Sequence, residues 1–417
     1  MANEQRVIVG VDVGTTKVCA LIGEVDEDNR LTVVGAGVVP SQGLRKGIVV
    51  DIDEAAASIR GAIDRTERMS GYRIGTALVG IAGGHIESRN SHGTATISPQ
   101  QHEVSQFDVD RAIESARAAP IPHNRDVLHV IPREYIVDGE AEIKDPLGMS
   151  GYRLEVVTHI VTGATTSIHN LEKCVQRAGI EIDDMVLEPM ASGEAVLSAS
   201  ERDLGVALVD IGGGTTDVAI YVNGSVYYTG VIPIGGNHFT NDIAVGLRAP
   251  FQVAEEIKIS QGSAVSGKIK DDELIEMPTF ENASGERVSR RFLCEILEAR
   301  AHEMMSQVAG EIAKSGYPGV LPAGVVLTGG SSQLADLGEL SRRVLDMPVR
   351  LGRPEQLGGL AEDISGPAYS TSVGLLLWGL KNQDAVHAEA RRAADGKAPT
   401  VMNRVSNLLR VFLPASQ

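Results

Sequence analysis

A chain of 417 residues with 43% hydrophobic content holds enough apolar material for two or three domains with substantial cores. Aromatics make up only 4% while glycine contributes 46 residues, a balance that favours Val/Ile/Ala-rich α/β packing with tight turns over an aromatic-rich β-sandwich. The net charge of -17 argues against nucleic acid as a partner, because most of such a surface would repel a phosphate backbone.

Cys19, Cys174 and Cys294 stand singly with no CxxC pair, which predicts a reducing compartment. The N-terminus, MANEQRVIVGVDVG, enters a strand-like run without a basic region or cleavage site. No apolar stretch approaches the ~20 residues that a membrane span needs, so the body of the protein is expected in the cytoplasm.

In chain order, residues 6–39 read as a strand (RVIVGVDVG), a Gly-Thr-Thr turn, a second strand (KVCALIGEV), a polar turn and a third strand (LTVVGAGVV). Residues 206–235 repeat that pattern as VALVDIGGG, TTDVAIYV, an Asn223-Gly224 turn and SVYYTGVIPIG. A helical stretch follows each copy, IDEAAASIRGAIDRTERM and FTNDIAVGLRAPFQVAEEIKIS, so the chain is expected to be two related lobes. Residues 84–163 interrupt the first lobe as an inserted α+β subdomain, and residues 236–300 form a second subdomain. The first lobe comprises 1–83, 164–195 and 360–381, and the second 196–235 and 301–359.

Both copies carry a loop suited to a nucleotide phosphate chain, Asp12 to Lys17 (DVGTTK) and Asp210 to Asp217 (DIGGGTTD). Gly14, Gly212, Gly213 and Gly214 let backbone N–H groups crowd phosphate oxygens without a Cβ clash. Thr15, Thr16, Thr215 and Thr216 offer hydroxyls and Lys17 a cation, while Asp12 and Asp210 at strand ends suit hydrated Mg²⁺, which keeps its own waters. A single such loop is as readily a Gly-rich hairpin turn; two in matching context point to a ligand. There is no GxxxxGK[ST], and no GxGxxG opens a helix after the first strand.

Three further segments suit a nucleotide cleft. VVLTGGSSQL ends an apolar strand at Gly329-Gly330, flat enough for a base, with Ser331 placed to cap the next helix. MVLEPMASGEAVL joins the lobes and carries Glu188, a candidate to orient an attacking water or simply to hold the strand. AEEIK sets Glu255 and Lys258 on one helix face, within reach of ribose hydroxyls. His85, His92 and His129 follow no metal-ligand spacing.

Residues 382–400 have almost no large apolar side chain and read as a linker. Beyond it, within 401–414, Val401, Met402, Val405, Leu408, Leu409 and Phe412 form one helical stripe, with Arg404 and Arg410 on the other face. From Lys397 onward there are cations and no acid, opposite to the body, which matches an interfacial helix on anionic lipid. Docking on the protein's own core is the alternative. Burial at roughly 1.5–3 kcal/mol per apolar side chain, against ~1–2 kcal/mol to order each residue, predicts reversible attachment reinforced by avidity.

The ordered set of phosphate loop, connecting segment, second phosphate loop, Gly329-Gly330 loop and second connecting segment (Tyr369 to Gly379) resembles the actin/Hsp70/sugar-kinase superfamily over most of residues 6–380. Within it the chain most closely resembles the bacterial actin-like division family FtsA, through VGIAGGHIESRNSHG (Val79 to Gly93), LEPMAS, VDIGGGTTD, VIPIGGNHFTNDIA, VVLTGGSSQL and the tail. The resemblance implies an actin-like duplicated two-lobed α/β ATPase fold with an inserted α+β subdomain and a C-terminal amphipathic helix. It further implies ATP and Mg²⁺ as cofactors, self-assembly into a filament, and at most slow hydrolysis. The filament would bind the C-terminal tail of FtsZ and tether it to the cytoplasmic face of the inner membrane at the division septum, where later division proteins join. The family's FtsZ-tail site lies roughly within 236–300, where Arg290 and Arg291 are candidates to meet an acidic tail, a surface ion pair being the alternative. Competing readings are a PilM-like scaffold, which would share the inserted subdomain but not be expected to carry the basic tail, an MreB-like scaffold, against which the long insertion entered by GGHIESRN counts, and a small-molecule kinase, which would need an acceptor pocket and a catalytic Asp.

Overall fold

The computed structural model describes residues 6–98, 102–282, 285–317, 319–354, 357–359 and 364–394. It opens with three antiparallel strands, β1 (Arg6–Val13), β2 (Lys17–Val25) and β3 (Leu31–Pro40). β1 and β2 are rich in β-branched residues and buried along most of their length, and so read as apolar runs. A short hairpin, β4 (Leu44–Arg45) and β5 (Ile48–Val49), precedes α1 (Ile52–Ser70). Asp51 starts α1 by accepting from the N–H groups of Asp53 and Glu54, and Gly71 ends it in the left-handed conformation. β6 (Thr76–Ile81) then pairs parallel to β1.

The next segment builds a separate sheet from β7 (Ile86–Thr96), β8 (Arg125–Val137), β9 (Glu140–Ile143) and β10 (Arg153–Ala164), in the order β7-β10-β8-β9. α2 (Gln106–Arg117) packs on it over a core of its own that includes Ile97, Val109, Ile113, Tyr135 and Leu154. The helix comes so close at Gly93 that a Cβ there would lie 2.0 Å from the Ala112 carbonyl oxygen.

α3 (Thr165–Ala178) and β11 (Glu181–Leu187) return to the first sheet, and α4 (Glu188–Val196) and α5 (Ala199–Leu204) lead to the second lobe. There β12 (Val206–Ile211), β13 (Thr216–Val222) and β14 (Ser225–Ile232) precede α6 (Gly236–Gly246), α7 (Phe251–Gln261) and the hairpin β15 (Leu274–Met277) and β16 (Glu286–Ser289). α8 (Arg290–Lys314), β17 (Val325–Thr328), α9 (Leu337–Leu345) and β18 (Val349–Leu351) complete the lobe. β19 (Gly358–Gly359) crosses back beside β3, and α10 (Ser370–Ala394) ends the described chain.

The duplication is visible in the topology. One sheet runs β3-β2-β1-β6-β11, with β19 added beyond β3, and the other runs β14-β13-β12-β17-β18. In each, two antiparallel pairings are followed by two parallel ones. Met190 and Ala191 of α4 and Leu375, Leu376 and Trp378 of α10 share one apolar core with Val11 and Ile22 of the first sheet and Leu208 and Ala219 of the second. The two helices touch at Gly374, where a Cβ would stand 1.8 Å from the Ala191 carbonyl oxygen.

Several sequence expectations are corrected here. Residues 382–394 are not a linker but the continuation of α10, because Ala, Glu and Arg are strong helix formers even without an apolar stripe. The rest of that segment, 395–400, and the predicted amphipathic helix with Val401, Met402, Arg404, Val405, Leu408, Leu409, Arg410 and Phe412 lie outside the described residues. The stretch after β14 is two helices rather than one, broken where Arg248 turns left-handed (φ 51°) ahead of Pro250. A boundary at residue 300 falls inside α8, and residues 236–300 share one core with the second sheet, Ile243, Met277 and Leu293 packing with Val209 and Leu327.

Candidate functional site

The two phosphate hairpins have the same register: Asp12 lies opposite Cys19 in β1–β2, and Asp210 opposite Asp217 in β12–β13. Each turn is closed by an equivalent bond, Gly14 N–H to the Lys17 carbonyl at 3.1 Å and Gly212 N–H to the Thr215 carbonyl at 3.0 Å. Thr15 and Thr16 match Gly213 and Gly214, and Lys17 matches Thr215. The loops meet face to face: a Cβ on Gly213 would lie 1.9 Å from the Thr16 hydroxyl, and one on Gly214 2.7 Å from that of Thr15.

Not every predicted donor is free for a phosphate. Thr216 is fully buried and donates its hydroxyl to the Ile234 carbonyl at 2.8 Å, so it belongs to the core of the second lobe. Thr215 donates to Asp217 at 3.1 Å. The Lys17 ammonium donates to the Ala368 carbonyl and lies 3.6 Å from the centre of the Tyr369 ring, which ties the first loop to the segment before α10.

Asp12 and Asp210 end β1 and β12 as expected, both buried. Asp12 accepts from Ser372 at 3.1 Å; Asp210 accepts from Ser192 at 2.5 Å and from Thr371 at 3.4 Å. Burial pushes the Asp12 carboxyl above the usual range, against the pull of Lys17 and Ser372. Asp210 is pushed up to about 6 and Asp217 to about 7, by burial first and then by neighbouring carboxylates. One Asp217 oxygen, Oδ1, is buried with no hydrogen-bond partner. Glu188 begins α4 rather than ending a strand, and burial together with Asp12, Asp217 and Asp210 raises it well above the ordinary value. Four carboxylates that repel one another inside a cleft fit a cation. Among the described residues no group of three or more His, Cys, Asp or Glu side chains is arranged to ligate a metal directly.

On the far side of the second loop, Gly236 N–H bonds the Gly212 carbonyl at 2.9 Å, and Ser331 donates to the same carbonyl at 3.0 Å. Ser331 therefore braces the phosphate loop instead of capping a helix; α9 begins later, after Asp336. Gly329 (φ 82°) has no room for a side chain, since a Cβ would stand 2.3 Å from an Asp210 oxygen. Gly330 follows in the same turn. Glu255 and Lys258 pair at 2.7 Å on α7, and Lys258 reaches the Thr240 hydroxyl at 2.9 Å and the Gly236 carbonyl at 3.3 Å. The structure thus joins all three segments to the second loop. Sequence reasoning missed Ser192, Asp217, Thr371 and Ser372. Asp217 is the one with a signal, as the acid closing DIGGGTTD.

Arg290 and Arg291 do start α8, but Arg290 pairs with Glu273 at 2.7 Å and Arg291 with Asp271 and, at 3.4 Å, Glu295. His129 is buried, accepts from the Leu187 N–H at 3.0 Å and is held down at about 4 by desolvation, as a neutral structural group. No helix among the described residues is long and apolar enough to cross a membrane.

Comparison with known proteins adds the family. The model for "Cell division protein FtsA" matches residues 207–374, and that for "SHS2 domain inserted in FTSA" matches 83–162. The chain is 45% identical to the cell division protein FtsA of Pseudomonas aeruginosa over 408 residues, covering 96% of this chain and 97% of that one. It is 36% identical to that of Escherichia coli, covering 98% and 99%. Among solved structures, a PilM-PilN type IV pilus biogenesis complex aligns with a TM-score of 0.63 at 17% identity, over 89% of this chain and 98% of that one. MreB5 of Spiroplasma citri bound to ADP aligns with a TM-score of 0.51 at 13% identity, over 94% and 99%. These last two share the actin-like fold and nothing finer. With the inserted domain, the duplicated lobes and the full-length identity together, the chain belongs to the FtsA family of cell division proteins.

Proposed function

We propose that this chain binds ATP with Mg²⁺ between its lobes, polymerises, and tethers FtsZ filaments to the cytoplasmic face of the inner membrane at the septum, where later division proteins join. The observation that carries the reading is the pair of register-matched phosphate hairpins closing on each other beside the buried Asp12, Asp210 and Asp217 and the half-buried Glu188. Amides of Gly14 and Gly212–Gly214 would cradle phosphate oxygens, Asp12 and Asp210 would hold the water shell of the ion, and Glu255 and Lys258 would face the ribose. Mg²⁺ supplies charge neutralisation on the phosphates when bound. Closure of the lobes links nucleotide state to the shape a filament must repeat, so the nucleotide acts as an assembly switch and hydrolysis is slow at most.

The basic amphipathic stripe within 401–414 supports the membrane reading, and the family supports FtsZ binding through the 236–300 region. Deleting residues 400–417 is expected to release the protein from anionic liposomes in co-sedimentation while ATP binding by calorimetry is retained. Continued sedimentation of the truncated chain would remove the tether.

A further inference from the structure

The turn between β4 and β5 has no part in the reading above, yet it sits where both phosphate loops meet. Lys46 and Gly47 form its two-residue tip, both left-handed, with φ of 52° and 74°. Lysine is a costly choice at such a position, where Asn or Gly fits without strain. The Gly47 N–H donates to the Thr15 hydroxyl at 3.0 Å, which fixes the tip to the first loop. On the other side, a Cβ on Gly214 would lie 2.8 Å from the Lys46 Cα, so the second loop packs against the same backbone. The Lys46 side chain is exposed at the cleft mouth, and among the described residues it has no ion-pair partner. It is also close enough to His238, next to the second loop, to help burial hold that imidazole below its usual range.

The tip has a third contact. A Cβ on Gly47 would stand 2.8 Å from the Gly83 Cα and 2.9 Å from the Ala82 carbonyl oxygen. Gly83 (φ 124°) is where the chain leaves the first lobe for the inserted subdomain. The two connections of that subdomain are clamped together by Arg125, which donates to the His85 carbonyl at 2.8 Å and the Thr162 carbonyl at 3.0 Å. One turn therefore touches both phosphate loops and the root of the inserted subdomain.

We propose that the Lys46–Gly47 tip senses the terminal phosphate: the Lys46 ammonium group binds the γ-phosphate of a nucleoside triphosphate, and Gly47 passes the resulting shift to the Gly83 root of the inserted subdomain. This rests on the nucleotide reading of the cleft. Lys17, already committed to Ala368 and Tyr369, leaves the terminal phosphate to a second cation. A diphosphate lacks the group that the tip binds, so the sensor distinguishes the two states.

The test compares Mg-ATP and Mg-ADP affinities of the full chain by calorimetry for wild type, Lys46→Ala and Lys46→Arg. Lys46→Ala is expected to weaken ATP about 10- to 100-fold, the loss of one charge-assisted contact, with ADP unchanged as its own control for folding. Lys46→Arg is expected to recover most of the loss. Hydrogen exchange at residues 83–87 is expected to be slower with ATP than with ADP in wild type, and equal in Lys46→Ala. If wild type binds ATP and Lys46→Ala binds both nucleotides as before, or weakens both alike, the sensor is overturned and the cleft stands. Identical exchange in the two wild-type states overturns the relay to Gly83. If wild type binds neither nucleotide, the cleft reading falls and takes the sensor with it.

Discussion

The two phosphate hairpins share strand order, register, closing bond and the aspartate at the strand end, Asp12 and Asp210, yet differ at the loop positions that follow. The first hairpin places Thr15, Thr16 and Lys17 where the second places Gly213, Gly214 and Thr215, and neutral Cys19 where the second has Asp217. Bulk on one loop is matched by its absence on the other, which lets the loops close to contact. Duplication preserved the backbone that makes an anion nest, and the side chains diverged because each loop must fit the other rather than itself.

Making the second hairpin more like the first tests this division, and the largest effect is expected at Asp217. Its folded value, about 7, lies above the unfolded carboxylate value of ~3.9, so the folded state binds the extra proton between those limits. The stability this gives is fully present below pH ~4 and lost as pH rises through ~7. Without nucleotide at pH 8, Asp217→Asn should therefore be more stable than wild type, by about 4 kcal/mol, the difference vanishing toward pH 4. Urea denaturation between those limits checks it, and parallel profiles for the two proteins would sink the idea.

Gly213→Val comes next. Its Cβ must displace the Thr16 hydroxyl, and overpacking of about 1–3 kcal/mol predicts a roughly 10- to 100-fold loss of ATP affinity. Thr16→Gly in the same chain should restore much of it; a double variant no better than the single one would show that the loops do not need to touch.

Lys17→Met removes a hydrogen bond from a charged donor and a stacked cation, and is expected to lower stability by about 1–3 kcal/mol in urea. At the matched position, Thr215→Val loses one neutral donor to Asp217 and should lower stability by about 1 kcal/mol. Equal effects would mean the two positions play the same part. Glu188→Gln has the smallest expected effect on ATP binding, since the side chain begins α4 beside the carboxylates without bracing either loop; phosphate release is the sensitive readout, and an unchanged rate would remove Glu188 from hydrolysis.

Much of the architecture was legible locally. β-Branched runs marked the strands of both sheets, and the Gly-Thr-rich stretches DVGTTK and DIGGGTTD marked the turns between them. The inserted subdomain stood out because its strands and α2 carry enough apolar residues for a separate core. The 236–300 region did not reveal that it shares a core with the second sheet, because an apolar face does not say which surface will cover it. Helix α10 beyond residue 381 was hidden for the opposite reason: a segment without an apolar stripe gives no periodic signal, and propensity alone extends it.

At the site, the amino-acid order by itself determined the phosphate loops, their strands and the acids at their ends, since backbone turns and strand propensities depend on neighbours a few positions away. Only the tertiary structure decided that Thr216 faces the core, that Ser192, Thr371 and Ser372 serve the two aspartates, and that Lys46 stands between the loops. Those outcomes depend on groups far apart in the chain. Desolvation and mutual repulsion act through space, so the raised values of Asp210, Asp217 and Glu188 exist only once the lobes have closed around them.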